Sequence, residues 1–85
     1  MTIANLIAKL NKLNISYTID DLNGYCKTII FSVNGRNVYA NFYETGEKPR
    51  VDNFSVIYGY NDAIQEQCRF FFKTLNRVFE FLQTR

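Results

Sequence analysis

The dipeptide Asn34-Gly35 constrains the fold of this chain more than any other feature of its sequence. Two strand-like runs flank it, from Tyr25 to Val33 and from Arg36 to Glu44. Asn-Gly is the preferred pair for a two-residue type I′ turn, because both central residues of that turn need a positive φ. The sequence therefore predicts a β-hairpin whose register is fixed by its turn.

This register sorts the side chains of the hairpin onto two faces. One predicted face carries the pairs Val33–Arg36, Phe31–Val38, Ile29–Ala40 and Lys27–Phe42. The other carries Ser32–Asn37, Ile30–Tyr39, Thr28–Asn41 and Cys26–Tyr43. A half-buried sheet turns its more apolar face towards the core, so we assign the first face to the core.

Before the hairpin, the spacing of apolar residues changes from that of a helix to that of a strand. The helical stripe consists of Ile3, Leu6, Ile7, Leu10 and Leu13. Thr2 is expected to cap this helix and Asn14 to end it. The run from Ile15 to Asp20 alternates with period two and predicts a first strand, followed by a turn from Asp21 to Gly24.

After the hairpin, the sequence predicts one more strand and a long helix. A polar loop from Thr45 to Arg50 precedes a strand from Val51 to Tyr58, which Gly59 is expected to end. From Asn61 to Leu82, apolar residues recur every three or four positions, as on one face of a helix. They are Ile64, Cys68, Phe71, Phe72, Leu75, Val78, Phe79 and Leu82.

These segments predict an α+β fold, with residues 1–85 forming a single small domain. The predicted order is α-β-β-β-β-α. The strands are expected to form a four-stranded antiparallel meander, with both helices packed on one face.

Residue types that are common at catalytic and metal sites are scarce. The chain has no His and two Cys, which excludes imidazole bases and zinc sites built from His or from four Cys. Cys26 is predicted on the outer side of the sheet and Cys68 on the buried helix stripe, so no disulfide is expected. We predict a protein that is not an enzyme and has no metal and no cofactor.

Charge and hydropathy limit the cellular location and the partners less strictly. The net charge is +2, which neither requires nor excludes nucleic acid. The N-terminal residues do not resemble a signal peptide, and no segment approaches the ~20 apolar residues of a membrane span. We therefore predict a cytoplasmic protein that does not bind a membrane.

The second hairpin face is rich in tyrosine and isoleucine and nearly uncharged, which is typical of the core of a protein interface. The predicted protein-contact residues on it are Ile30, Tyr39, Tyr43 and Ile57. An alternative is that Ile30 and Tyr39 form a cross-strand pair that only supports the hairpin. Phe70 and Phe81 share one flank of the predicted long helix and form a second predicted contact surface, unless the first helix covers them.

These surfaces favour a small, non-catalytic protein-binding module. Its size and its Asn-, Ile- and Lys-rich composition suggest a phage or mobile-element product, such as an anti-CRISPR-like inhibitor or accessory protein that occludes a host nuclease or defence complex. The alternative is a single-stranded nucleic-acid-binding protein, in which Tyr39 and Tyr43 stack on bases and Lys48 and Arg50 hold phosphates. A homodimer through the outer sheet face or the last strand is a third hypothesis.

Overall fold

The fold combines two helices with one antiparallel sheet. The computed structural model describes residues 1–21, 26–43 and 49–83, and at residues 60 and 61 it describes the backbone. The elements are α1 (Ile3–Lys12), β1 (Tyr17–Asp21), β2 (Cys26–Val33), β3 (Arg36–Tyr43), β4 (Val51–Asn61), β5 (Glu66–Phe72) and α2 (Leu75–Gln83). The strands follow the order β1-β2-β3-β4-β5 in the sheet, and each pairs with its neighbour in antiparallel orientation.

The α+β class is therefore confirmed, whereas the predicted count of four strands is wrong, because the described chain contains a fifth, β5. The predicted turn at residues 22–24 lies outside the described residues. So do residues 45–48 of the predicted polar loop and residue 44 at the end of the predicted strand before it.

The hairpin around Asn34-Gly35 agrees with its prediction in every detail that the structure describes. Asn34 has a φ of 50° and Gly35 a φ of 78°, as a type I′ turn requires. All eight predicted residue pairs are present between β2 and β3. We call the sheet face that carries Phe31 and Val38 the inner face, and the opposite one the outer face.

One apolar cluster forms the core. Its strand residues all occupy the inner face: Ile29, Phe31, Val38, Ala40, Phe42, Phe54 and Val56. Its helix residues are Ile3, Leu6, Leu10, Leu75, Val78 and Leu82. Each large apolar side chain in such a cluster contributes roughly 1.5–3 kcal/mol relative to full exposure, so this burial is the main source of stability.

Helix α1 begins and ends where the sequence predicts. The hydroxyl oxygen of Thr2 accepts a hydrogen bond from the Asn5 amide at 3.2 Å, and Asn14, with a φ of 57°, follows the last turn. Backbone bonds also tie the start of this helix to the start of β4. They run from Ile3 N to Pro49 O and from Val51 N to Met1 O, each 2.9 Å long.

The predicted helix from Asn61 to Leu82 is wrong from Asn61 to Thr74, because α2 begins at Leu75. Strand β4 does not stop at Gly59, which takes a φ of 82° at a shift in the β4–β5 register. The strand continues to Asn61, and a turn in which Gln65 has a φ of 54° leads back into β5. Ile64 lies in this turn and is exposed, so it does not belong to a buried stripe.

The spacing of apolar residues in β5 fits both the period of a helix and the period of a strand. Cys68, Phe70 and Phe72 alternate with Gln67, Arg69 and Phe71, while four of the predicted stripe residues keep their helical spacing in α2. The residues form a strand and not a helix because β4 would otherwise be an unpaired edge of the sheet. Aromatic residues also pack well on the pleated surface of a sheet. Pairing with Val56 places Phe70 on the inner face, and pairing with Ser55 places Phe71 on the outer face.

Helix α2 has a start signal of its own, Thr74. The Thr74 hydroxyl oxygen accepts a hydrogen bond from the Arg77 amide at 3.3 Å, the geometry of an N-cap. At the other end of α2, the side-chain amide of Asn34 donates a hydrogen bond to the Leu82 carbonyl at 3.2 Å. The hairpin turn thus satisfies one of the carbonyl groups that a helix end leaves unpaired.

The substitution Thr74→Ala tests where the C-terminal helix begins. Loss of an N-cap is expected to lower the free energy of unfolding by about 1 kcal/mol. In a continuous helix from Asn61 to Leu82, the same exposed position would be interior, and alanine would raise that free energy by about 0.5 kcal/mol. Urea unfolding measures the sign, and Thr74→Ser, which keeps the hydroxyl, serves as the control. Stabilisation by Thr74→Ala would contradict the break between β5 and α2.

Candidate interaction surface

The predicted contact residues of the sheet lie on the outer face. Ile30 pairs with Tyr39 across β2 and β3, and Tyr43 pairs with Cys26. Tyr43 is 48% exposed, whereas Ile30, Tyr39 and Ile57 are half-buried. Their placement on one face agrees with the prediction, and their role in binding stays a prediction.

A row of polar side chains connects three strands across this face. The Thr28 hydroxyl donates a hydrogen bond to the Asn41 side-chain oxygen at 2.8 Å. The Asn41 amide nitrogen in turn donates to the Asn53 side-chain oxygen at 3.2 Å. Thr28 is buried although it lies on the outer face. Because the buried Thr28 hydroxyl has a partner, its hydrogen bond offsets the cost of removing it from water, and the row holds its side chains in place.

The side chain of Arg69 extends from β5 over β4 towards β3 on the outer face. Its guanidinium nitrogen Nη1 donates a hydrogen bond to the Ser55 hydroxyl at 3.0 Å, and its Cζ lies 5.4 Å from the ring centroid of Tyr39. Ser55 is fully buried beneath these neighbours. A guanidinium over a tyrosine ring contributes about 0.5–1 kcal/mol at an exposed site, so Arg69 holds the Tyr39 ring in place.

Arg69 also corrects the prediction that the outer face is nearly uncharged. The sequence interpretation placed this residue on a helix, so its charge was not assigned to the sheet. Asp20 of β1 adds a second charge, since it pairs with the outer-face residue Thr28. The alternation of the polar residues Gln67 and Arg69 with Cys68 and Phe70 was the sequence signal for the strand and for the position of this charge.

Phe71 is, among the aromatic side chains that the structure describes on the outer face, the most exposed, at 62%. It pairs with Ser55 and so continues the row formed by Thr18, Ile30 and Tyr39. The sequence interpretation placed Phe71 on the buried helix stripe and missed it as a surface residue. Large apolar side chains exposed beside other apolar groups are typical of a binding surface.

The second predicted contact surface does not exist as a helix flank. Phe70 lies on β5 and Phe81 on α2, and their ring centroids are 5.1 Å apart. Phe81 also contacts Phe72 at 5.1 Å and Tyr58 at 5.6 Å between centroids. It therefore joins α2 to β4 and β5 and packs against the core, whereas Phe70 stays partly exposed at the sheet edge.

The residues predicted to hold nucleic acid are only partly described. Tyr39 and Tyr43 lie on the outer face, as above. Arg50 is exposed and forms an isolated bridge with Thr2, next to the start of β4. Lys48 lies outside the described residues.

The described residues assemble few groups that react or bind metals. Within residues 1–21, 26–43 and 49–83, no three His, Cys, Asp or Glu side chains lie together in a way that would hold a metal ion. Cys26 and Cys68 are free thiols. Cys68 lies on β5 and not on a helix, which corrects its predicted position.

Substitution of Asn41 tests whether the polar row stabilises the outer face. Asn41→Ala leaves the buried Thr28 hydroxyl without its acceptor, so the free energy of unfolding is expected to fall by about 1–2 kcal/mol. Asn37→Ala is the matched control, because Asn37 is exposed on the same strand and face, and its effect is expected to stay within about 0.5 kcal/mol. Equal effects in urea unfolding would show that the row contributes nothing.

Comparison with known proteins adds no relative to this description. No protein-family model, curated protein or solved structure matches the chain. In the part of the chain that the structure describes, no helix has the length and apolar character needed to cross a membrane.

Proposed function

We propose that this chain is a non-catalytic protein-binding module that contacts its partner through the outer face while both helices cover the inner face. The shared core supports this arrangement, because it joins residues of α1 and α2 to inner-face residues. It leaves the outer face available, and Tyr43 and Phe71 are exposed on it.

The observation that carries the proposal is that contacts between side chains of different strands hold the outer-face residues in place. The Arg69 guanidinium lies over the Tyr39 ring and donates a hydrogen bond to the Ser55 hydroxyl. The row centred on Asn41 fixes the neighbouring polar groups. Binding costs about 0.5–1.5 kcal/mol for each flexible side chain that must be immobilised. A face whose side chains are already held avoids much of that cost.

The composition of this face fits the same role. Tyrosine and arginine are enriched among the residues that dominate binding energy, and such residues cluster at the centre of an interface. Tyr39, Tyr43 and Arg69 provide these types, and the half-buried Ile30 and Ile57 provide an apolar base. This combination of an apolar base with a few fixed polar groups favours a protein partner.

The most concrete form of the proposal is an inhibitor or accessory protein of a phage or mobile element. Such a protein acts in the cytoplasm by covering the surface of a host nuclease or defence complex, as anti-CRISPR-like proteins do. The support for this form is the size and composition of the chain together with its aromatic sheet face.

The double variant Tyr39→Ala with Tyr43→Ala tests the proposed contact face. Each truncation of a dominant contact costs about 2 kcal/mol, so the two together are expected to weaken partner binding roughly 1,000-fold. The immobilised protein captures its partner from a lysate of the source organism, and calorimetry with the purified partner then measures the affinity.

Leu13→Ala is the matched control, because Leu13 is 47% exposed at the end of α1 and its truncation removes apolar surface far from the outer face. Circular dichroism confirms that each variant is folded. If the folded double variant binds its partner as tightly as the Leu13→Ala variant does, the outer face is not the contact surface.

Binding of single-stranded nucleic acid is the second candidate, and the position of Arg69 favours it. A guanidinium beside an aromatic ring on an open sheet suits a base and its phosphate. On the leading proposal, a fluorescently labelled oligonucleotide shows no binding at low salt. Tight binding that weakens steeply as salt increases, and that weakens further in Arg69→Gln, would replace the leading proposal with this one.

A further inference from the structure

The two edges of the sheet differ in a way that bears on self-association. Strand β1 ends in Asp20 and Asp21, both exposed, and charged residues on an edge discourage pairing with another strand. Strand β5 instead ends in Phe70, Phe71 and Phe72. Among the described residues, β5 pairs only with β4 and no described strand pairs with its other side.

We propose that β5 pairs with β5 of a second copy of this chain, antiparallel and centred on Phe70, to form a continuous ten-stranded sheet. Strand addition of this kind gains its affinity from main-chain hydrogen bonds and its specificity from alternate side chains. A two-fold axis through the Phe70 pair, perpendicular to the sheet, keeps the inner faces of both copies on the same side. The inference is independent of the proposed function.

The charges of β5 disfavour the two centres next to Phe70. A two-fold axis at Arg69 would place that cation opposite itself, and an axis at Phe71 would place Arg69 opposite Lys73. Like charges directly opposite each other destabilise a strand pair. An axis at Phe70 instead places Arg69 opposite Phe71 of the second copy, twice by symmetry.

The position of the Arg69 side chain fits this pairing. Its guanidinium reaches towards Ser55 and Tyr39 on the outer face. Its methylene groups remain beside the edge and provide an apolar surface for the Phe71 ring of the second copy. The Phe70 centre thus covers Phe71, which is 62% exposed, and Phe70, which is 40% exposed.

Sedimentation equilibrium tests the dimer. An interface of one strand pair is smaller than the ~1,600 Å² of a standard interface, so the dimer is expected to dissociate at low micromolar concentration. Phe71→Lys places a cation opposite Arg69 of the second copy and is expected to keep the protein monomeric throughout. Ile19→Lys is the matched control on β1, where Ile19 is 49% exposed, and it is expected to dimerise like the wild type.

Cysteine cross-linking tests the register separately. In a background of Cys26→Ser and Cys68→Ser, Phe70→Cys places two thiols directly opposite each other across the axis, at a separation that a disulfide can span. Phe71→Cys places its thiol opposite Arg69 instead, although position 71 is the more exposed of the two. Under mild oxidation, Phe70→Cys is therefore expected to cross-link faster.

Each contrary outcome overturns the inference. A wild-type protein that stays monomeric at several hundred micromolar has no such dimer. A folded Phe71→Lys variant that dimerises like the wild type shows that the contact lies elsewhere. If Phe71→Cys cross-links faster than Phe70→Cys, the rate of cross-linking follows the exposure of the thiol, and the axis does not pass through Phe70.

Discussion

The pairing of β4 with β5 is the constraint on which the rest of this structure depends. It gives β4 a second partner, places Arg69 and Phe71 on the outer face, and limits the C-terminal helix to the residues after Thr74. It also positions Phe72 and Phe70 beneath Phe81, so that α2 contacts the last two strands through an aromatic cluster. The pairing of Ile57 with Arg69 also brings the Arg69 guanidinium to Ser55 on the outer face.

The two faces of the sheet have different physical roles because of this pairing. The inner face is apolar and contributes to the core together with both helices. The outer face combines half-buried isoleucine and tyrosine with polar groups that bond across strands. On this face the Arg69 guanidinium holds the Tyr39 ring in a defined position, and a side chain that is already held costs less to immobilise on binding.

Local signals in the sequence predicted the features that depend on neighbouring residues. Asn34-Gly35 fixed a turn and eight residue pairs because both depend on a two-residue loop, and Thr2 and Asn14 marked the ends of α1 for the same reason. The identity of β5 depends on a long-range pairing, and the run from Cys68 to Phe72 fits a helix or a strand equally well. Arg69 and Phe71 were missed as outer-face residues because their placement follows from that pairing. Thr74 was the available local sign that a helix starts after it and not before.

Solution NMR measures the β4–β5 pairing most directly. The account predicts nuclear Overhauser contacts between backbone protons of β4 and β5 across the pairs Phe54–Phe72, Ser55–Phe71 and Val56–Phe70. It also predicts that, within residues 66–83, contacts between residues three positions apart begin only after Thr74, where the geometry of α2 brings such residues together. Contacts of that helical kind throughout residues 66–72, without cross-strand contacts to β4, would contradict the account.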